Sequence, residues 1–369
     1  MRLARSSLHT CCLPYSRPVK WSDTVEEGAT FVLLRLESDC GRVGVAEMTT
    51  KPTWTGFGAQ SLIAATTEVL LPRLATVDLS DEAAVARCLH GIPGLHAPKA
   101  LVDNAAWDLR AALQGRPLWQ AWGGRRSVPV SCTVTRRAPE AMAREAAEMV
   151  ERYGFKVLKI KGGQGAETDS AVLRTLRAAV GDTVGFYVDA NGAYPRDQAP
   201  DYARAVLDAG ARCVEDPCAL QPDAAFRALQ AGLGRAVLVD FDCWGADDMA
   251  LFLEAGARAF SVKPGRFGLS VGRAMQAAAR AQGAFTVTGL FGESALGTWQ
   301  ALALAACAEP DDLPAETTWY LEMREQVVHD VPPIRAGEIA LPDAPSVAER
   351  VDWERVRRFE VAPAVHIND

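Results

Sequence analysis

Val157-Leu158-Lys159-Ile160-Lys161 is a short apolar run that ends in charge, and the chain repeats its form. Phe186-Tyr187-Val188-Asp189-Ala190-Asn191, Cys213-Val214-Glu215-Asp216-Pro217, Val237-Leu238-Val239-Asp240-Phe241-Asp242 and Phe260-Ser261-Val262-Lys263-Pro264-Gly265 are built alike. Runs of this kind begin near residues 128, 157, 184, 212, 237, 259 and 285, with an eighth expected near Glu316–Tyr320. The steps between the first seven are 29, 27, 28, 25, 22 and 26 residues, and an Ala-rich helical stretch follows each run. That is the length of one strand, one crossover helix and two short loops. Seven or eight such units predict an α/β fold, a TIM-like (β/α)8-type barrel in its (β/α)7β form. An open doubly wound sheet needs a Gly-rich phosphate turn after an early strand, and Gly162-Gly163-Gln164-Gly165 lacks the full fingerprint.

The first third has a different rhythm. Phe31–Leu36 and Gly41–Glu47 read as two strands joined by an Asp39-Cys40-Gly41 turn. A helix is expected from near Pro98, with Leu101, Ala105, Leu109 and Leu113 on one stripe and a stop at Gly115 and Pro117. These features predict an N-terminal α+β capping domain over residues 1–126, a catalytic barrel over 127–330, and a segment 331–369 that returns to the cap.

With 369 residues, 49% of them hydrophobic and 23% charged, the chain can bury a large core. A net charge of −7 leaves no basic surface for nucleic acid or an acidic membrane, so the expected partners are a small-molecule carboxylate and copies of the chain itself, as a homo-oligomer. Met1-Arg2-Leu3-Ala4-Arg5 is followed by polar residues where a signal core would be apolar, which points to a cytoplasmic protein. Nine scattered cysteines in such a chain are expected as reduced thiols.

Chemistry in a barrel collects at the carboxyl ends of its strands. Asp189, Glu215 and Asp240 end three consecutive runs, spaced 26 and 25 residues apart. On strands about 5 Å apart they would converge and repel one another, a conflict that a bound cation resolves. Their all-oxygen chemistry favours Mg²⁺, with Mn²⁺ as the alternative, over zinc. Asp242 is an alternative ligand at the fifth run. Lys161 precedes the trio and Lys263 follows it, which places them on opposite sides of an eight-stranded barrel. One can remove a proton from a carbon while the other acts on the opposite face, and burial, Lys159 and the cation would each lower a lysine's pKa toward neutrality.

These residues, together with Gly292-Glu293-Ser294-Ala295-Leu296-Gly297 and the stretch Ala105-Ala106-Trp107-Asp108-Leu109 through Gly115-Arg116-Pro117-Leu118, resemble the enolase superfamily and, within it, the mandelate racemase/muconate-lactonizing-enzyme subgroup. The resemblance runs over essentially the whole chain. It implies an isomerase in which Asp189, Glu215 and Asp240 hold Mg²⁺ and Lys161 or Lys263 takes the α-proton of a carboxylate. Lys159 would help stabilise the resulting enolate, and Glu293 would orient the second lysine or the substrate carboxylate. A helix N-terminal acid is the plainer role for Glu293. No His lies between His96 and His329, which excludes the His-dependent sugar-acid dehydratases, and Glu316-Thr317-Thr318-Trp319-Tyr320 lacks the Asp-x-Asp motif of dipeptide epimerases.

Specificity in such a fold is expected from cap loops at 15–22 and 48–57 and from the end of strand eight. Asn191, Trp21, Trp54, Phe291 and Trp319 are the candidate substrate contacts. The leading expectation is a racemase or epimerase of an N-substituted amino acid. The alternatives are a syn-elimination lyase, resembling o-succinylbenzoate synthase or a hydroxy-imino-acid dehydratase, and a muconate cycloisomerase. A non-catalytic metal-binding barrel is disfavoured, because binding alone needs no opposed bases.

Overall fold

The computed structural model describes residues 1–21 and 24–368. Ser22, the last residue of the expected loop 15–22, lies outside the described residues. Strands are numbered in chain order. β1 (Leu3–Lys20), β2 (Val25–Ser38) and β3 (Val43–Thr49) pair antiparallel, with Leu36 opposite Gly44. The helix His96–Gln114 lies on one face of this sheet and packs Leu101, Ala105 and Leu109 against Val32, Leu34 and Ala46. The approach is so close that a Cβ at Gly44 would stand 2.4 Å from Ala105 O, so only glycine fits there. The helix ends at Gly115, whose φ of 61° suits a left-handed cap and whose N–H donates to Ala111 O.

The second body is a parallel sheet of β5 (Cys132–Val134), β6 (Val157–Lys161), β7 (Gly185–Asp189), β8 (Val214–Glu215), β9 (Val237–Val239), β10 (Ala259–Val262) and β11 (Phe285–Thr288), adjacent in that order. Segment 313–316 closes it. Leu313 N donates to Thr286 O (3.0 Å) and Glu316 N to Thr288 O (2.9 Å) on one side, while Ala315 N donates to Pro129 O (2.9 Å) and Ser131 N to Ala315 O (2.8 Å) on the other. The result is a capped TIM-like barrel.

Three expectations need correction. The eighth run does not extend to Tyr320: Thr318 N turns back to Glu316 O (2.8 Å), and Trp319–Glu322 is a 3₁₀ turn. The run beginning at Val128 is split. β4 (Ser127–Pro129) pairs antiparallel with β13 (Glu338–Ala340), which also pairs with β12 (Ile334–Arg335), and the first barrel strand starts only at Cys132. The cap segments at 15–22 and 48–57 are mostly not loops. Lys20 still pairs with Val25, Thr49 pairs with Phe31, and residues 52–55 form a helical turn.

β14 (Glu360–Asn368) pairs antiparallel with β1, so the end of the chain completes the cap sheet. The opposite face of that sheet, with Leu13, Phe31, Leu33 and Val45, packs against Leu296, Trp319, Tyr320 and Val327. Glu47 reinforces this contact: Oε1 accepts from Ser294 N (2.7 Å) and Oε2 from Ser294 Oγ (2.5 Å). The nine cysteines form no disulfide, and among the described residues no helix is long and apolar enough to cross a membrane.

Burial drives the Glu47 carboxyl up from 4.5 to about 7, against the lowering effect of the Ser294 donors. A carboxyl raised on folding contributes stability that is fully present below its unfolded pKa and lost as pH rises through its folded one. Relative to Glu47→Gln, the parent is therefore expected to lose about 3 kcal/mol of unfolding free energy between pH 4.5 and 7.5. Urea denaturation across that range measures it, and a constant difference between the two proteins would contradict the assignment.

Candidate active site

Side chains alternate along a strand, and the barrel interior is built from that alternation. Its lower layer is apolar: Val157, Tyr187, Cys213, Leu238, Ala259, Val287 and Leu313. Two residues further along four adjacent strands, the same face carries Lys159, Asp189, Glu215 and Asp240, followed by Lys161 on β6. The intervening Leu158, Ile160, Val188, Val214 and Val239 point outward into the core beneath the helices. Inward lysines on β6 thus follow from strand geometry once the outer face is apolar.

Lys159 is 2% exposed. Its Nζ lies 2.7 Å from Glu215 Oε1, 3.1 Å from Asp189 Oδ2 and 3.1 Å from Glu316 Oε1. Burial opposes its charge, but Asp189, Glu215 and Glu316 together outweigh that and hold its pKa well above the ordinary lysine value. Its three carboxylate partners thus hold Lys159 in the charged form. Lys161 Nζ stands 2.6 Å from Asp189 Oδ2 and 3.1 Å from Asn191 Oδ1. Across the mouth, Lys263 Nζ stands 2.5 Å from Asp240 Oδ2, with Arg266 Nη1 3.4 Å from Oδ1. Gly289 makes room for Lys263, because a Cβ there would come within 2.8 Å of its Cε.

The carboxylates respond to these partners. Burial raises Asp189, yet Lys159 and Lys161 override it and hold the group well below the usual range. Asp240 is likewise lowered against burial, by Lys263 and Arg266. Glu215 is pushed well up, first by burial and then by Asp189. Asp216 rises to about 8 through burial and its neighbours Asp240 and Asp189; its oxygens take Asp240 N (3.1 Å) and Phe241 N (2.8 Å).

Asp189, Glu215 and Asp240 form an all-oxygen donor set. Glu215 Oε2 is wholly buried and has no hydrogen-bond partner, the kind of orphaned acceptor that a hard divalent cation satisfies. Lys159 and Lys161 pair with Asp189 Oδ2 and Lys263 with Asp240 Oδ2, while Glu215 Oε2 stays open. Asp242 turns away and accepts from Leu220 N (2.7 Å).

A cavity of about 280 Å³ opens at this point, lined by Lys159, Lys161, Asn191, Asp240, Lys263 and Arg266 and roofed by Trp21, Trp54, Phe241, Trp244, Leu290 and Phe291. Lys51, ion-paired with Glu26, lies over the rings of Trp21 (4.2 Å) and Trp54 (5.6 Å). Two expected residues are not brought to the wall. Trp319 packs behind Trp21, with ring centroids 4.7 Å apart, because the 3₁₀ turn carries it into the core between cap and barrel. Glu293 is buried under Gly265 and accepts from Phe291 N (2.7 Å); Ser294, not Glu293, caps the helix that follows. Burial raises the Glu293 carboxyl to about 7.

Sequence reasoning passed over Glu316 as a site residue, although it also accepts from the Tyr187 hydroxyl. Alternation could not have found it: Glu316 lies three residues beyond the inward Leu313, whereas Asp189 lies two beyond Tyr187. Phe241 and Trp244 come from a loop and Arg266 from the single helical turn Pro264–Phe267, where no periodicity marks them.

Fold and site together define a capped-barrel enzyme. Residues 6–123 match the family model described as the mandelate racemase / muconate lactonizing enzyme N-terminal domain, and residues 141–355 match the enolase C-terminal domain-like model. The chain belongs to this family, the mandelate racemase and muconate-lactonizing-enzyme group of the enolase superfamily. It is similar to a chloromuconate cycloisomerase of Pseudomonas putida, 26% identical over 94% of this chain and 96% of that protein. An N-succinylamino acid racemase of Thermus thermophilus is 28% identical over 97% of each chain. The substrate-liganded structure of the L-Ala-D/L-Glu epimerase from Bacillus subtilis superposes with a TM-score of 0.87 at 26% identity, covering 94% of this chain and 98% of the other. These relatives are isomerases, and the chain is an enzyme of that class.

Removing the Lys159 charge would leave three buried carboxylates facing one another. Lys159→Met is expected to cost about 3–5 kcal/mol of stability, read from urea unfolding, in keeping with the loss of one partner from a buried ion cluster.

Proposed function

We propose that the chain inverts the configuration of an N-substituted amino acid by removing and returning its α-proton. The observation that carries this reading is the pair of lysines, Lys161 beside Asp189 and Lys263 beside Asp240, on either side of one carboxylate cluster at the barrel mouth. Inversion needs a group on each face of the α-carbon, whereas one-sided chemistry needs only one. Neutral Lys161 would take the proton and become an ammonium, while the Lys263 ammonium would give its proton to the opposite face and become neutral. The reverse assignment serves the other enantiomer. Lys159, charged throughout, stabilises negative charge as it develops.

Asp189, Glu215 and Asp240 would hold a divalent cation, Mg²⁺ by donor chemistry. When bound, it supplies positive charge for a substrate carboxylate and for the charge that builds on it. Asn191 fixes Asp189 by donating to it from N (2.8 Å) and Nδ2 (3.1 Å). The walls formed by Trp21, Trp54 and Phe291 exclude water and suit an apolar or acylated nitrogen. Glu316-Thr317-Thr318 offers no second acid for the free ammonium of a dipeptide, since its only carboxylate is engaged by Lys159 and Tyr187.

The chloromuconate cycloisomerase that matches nearly the whole chain supports a second reading, cycloisomerisation of a muconate-type diacid. Exchange in heavy water separates the two. With an N-acyl amino acid, the parent should wash deuterium into the α-position from both enantiomers. Lys161→Ala and Lys263→Ala should each lose exchange, by about 10²-fold or more, for one enantiomer first. Absence of exchange with any N-substituted amino acid, together with lactone formation from a muconate, would replace the first reading by the second. For the metal, Glu215→Gln should abolish Mg²⁺ binding in titration calorimetry; retained stoichiometric binding would show that the ligands are misassigned.

A further inference from the structure

On the barrel-side face of the cap sheet, beyond the packed layer of Cys11, Leu13 and Leu33, runs a hydrogen-bonded row that the barrel chemistry does not use. Ser7 Oγ lies 3.0 Å from His9 Nε2, and His9 Nδ1 lies 2.6 Å from Glu360 Oε1. Ser7 and His9 are two apart on β1 and so share a face, while Glu360 begins β14 on the neighbouring edge. A separate cavity of about 460 Å³ opens over the row, lined by Arg5, Ser7, His9, Arg35, Trp353 and His366 among others, and it shares no residue with the barrel-mouth cavity. Ser7 sits between Arg35 on β2 and His366 on β14 as their direct cross-strand partner.

We propose that Ser7, His9 and Glu360 form a second reactive centre, a serine nucleophile with its base and orienting acid, that cleaves activated esters of small carboxylic acids. The order of contacts is what nucleophilic catalysis requires: hydroxyl to imidazole, then imidazole to carboxylate. With the His9 proton on Nδ1 donated to Glu360, Nε2 accepts from the Ser7 hydroxyl. Ser7 Oγ bonds to the ester carbonyl carbon as His9 Nε2 takes the hydroxyl proton; the C–O bond to the alcohol then breaks, and the alcohol leaves with that proton. Water adds to the acyl carbon, giving a proton to His9, the bond to Ser7 Oγ breaks, and the serine recovers the proton as the acid departs. Ser7 lies inside a strand whose backbone amides serve the ladder, so the developing oxyanion falls to a side chain. Arg35, the cross-strand partner of Ser7, donates from Nη1 to Glu37 (2.8 Å) and is the cation in place for it.

The full-length protein, treated with an alkyl fluorophosphonate, should gain one phosphonyl group on Ser7, located by peptide mass spectrometry. Hydrolysis of 4-nitrophenyl acetate should fall about 100-fold in Ser7→Ala and in His9→Gln. Glu360→Gln should slow labelling without moving it from Ser7. Lys161→Ala should hydrolyse the ester as the parent does, which separates this centre from the barrel. No adduct on Ser7, or ester hydrolysis in Ser7→Ala equal to the parent's, would overturn the proposal and leave the row as a clamp between β1 and β14. Circular dichroism matching the parent keeps a loss in Ser7→Ala from being a loss of fold.

Discussion

One ammonium group governs the architecture of the barrel mouth. Lys159 is surrounded by Asp189, Glu215 and Glu316, three carboxylates from three different segments of the chain. Without a cation at their centre the segments would repel, and buried charge left unpaired is among the most destabilising features a fold can contain. With it, β6, β7, β8 and the closing segment are drawn to one point. Because Glu316 belongs to the segment that closes the barrel, the site's charge balance and the barrel's closure are the same event. The opposed lysines then occupy the flanks, each paired with one carboxylate.

The cap depends on this arrangement at one remove. Its sheet meets the barrel through Glu47 on Ser294 and through the layer that holds Trp319 behind Trp21. Trp21 and Trp54 therefore stand where they do because barrel residues back them. Arg17 adds a tie, reaching Glu145 (2.5 Å) on a barrel helix and Glu322 (3.5 Å) in the 3₁₀ turn. Aromatic roof and charged floor are built by different parts of the chain, and their distance is set by these few polar contacts.

The parallel repeat was legible because inward charge and outward aliphatic residues alternate with period two, and because the repeat length admits only a crossover helix. The trio of carboxylates and the lysines flanking it were legible for the same reason, since position along a strand determines direction. Trp319 was misjudged because a 3₁₀ turn follows no such rule: Thr318 folds back on Glu316, and the indole goes to the core. The split at Val128 escaped because Ser127–Pro129 and Cys132–Val134 read as one apolar run, and only the partner strand at Glu338–Ala340 separates them. Ser7 and His9 carried no signal alone, because the acid that completes the row comes 351 residues later.

That long return has a further meaning. The cap sheet cannot gain its edge strand until the barrel has brought residues 360–368 back to residues 5–11. Contacts of such sequence separation carry the largest loop-closure entropy and tend to form late. The two bodies are thus not assembled as beads on a string. The barrel is threaded between the two halves of its own lid.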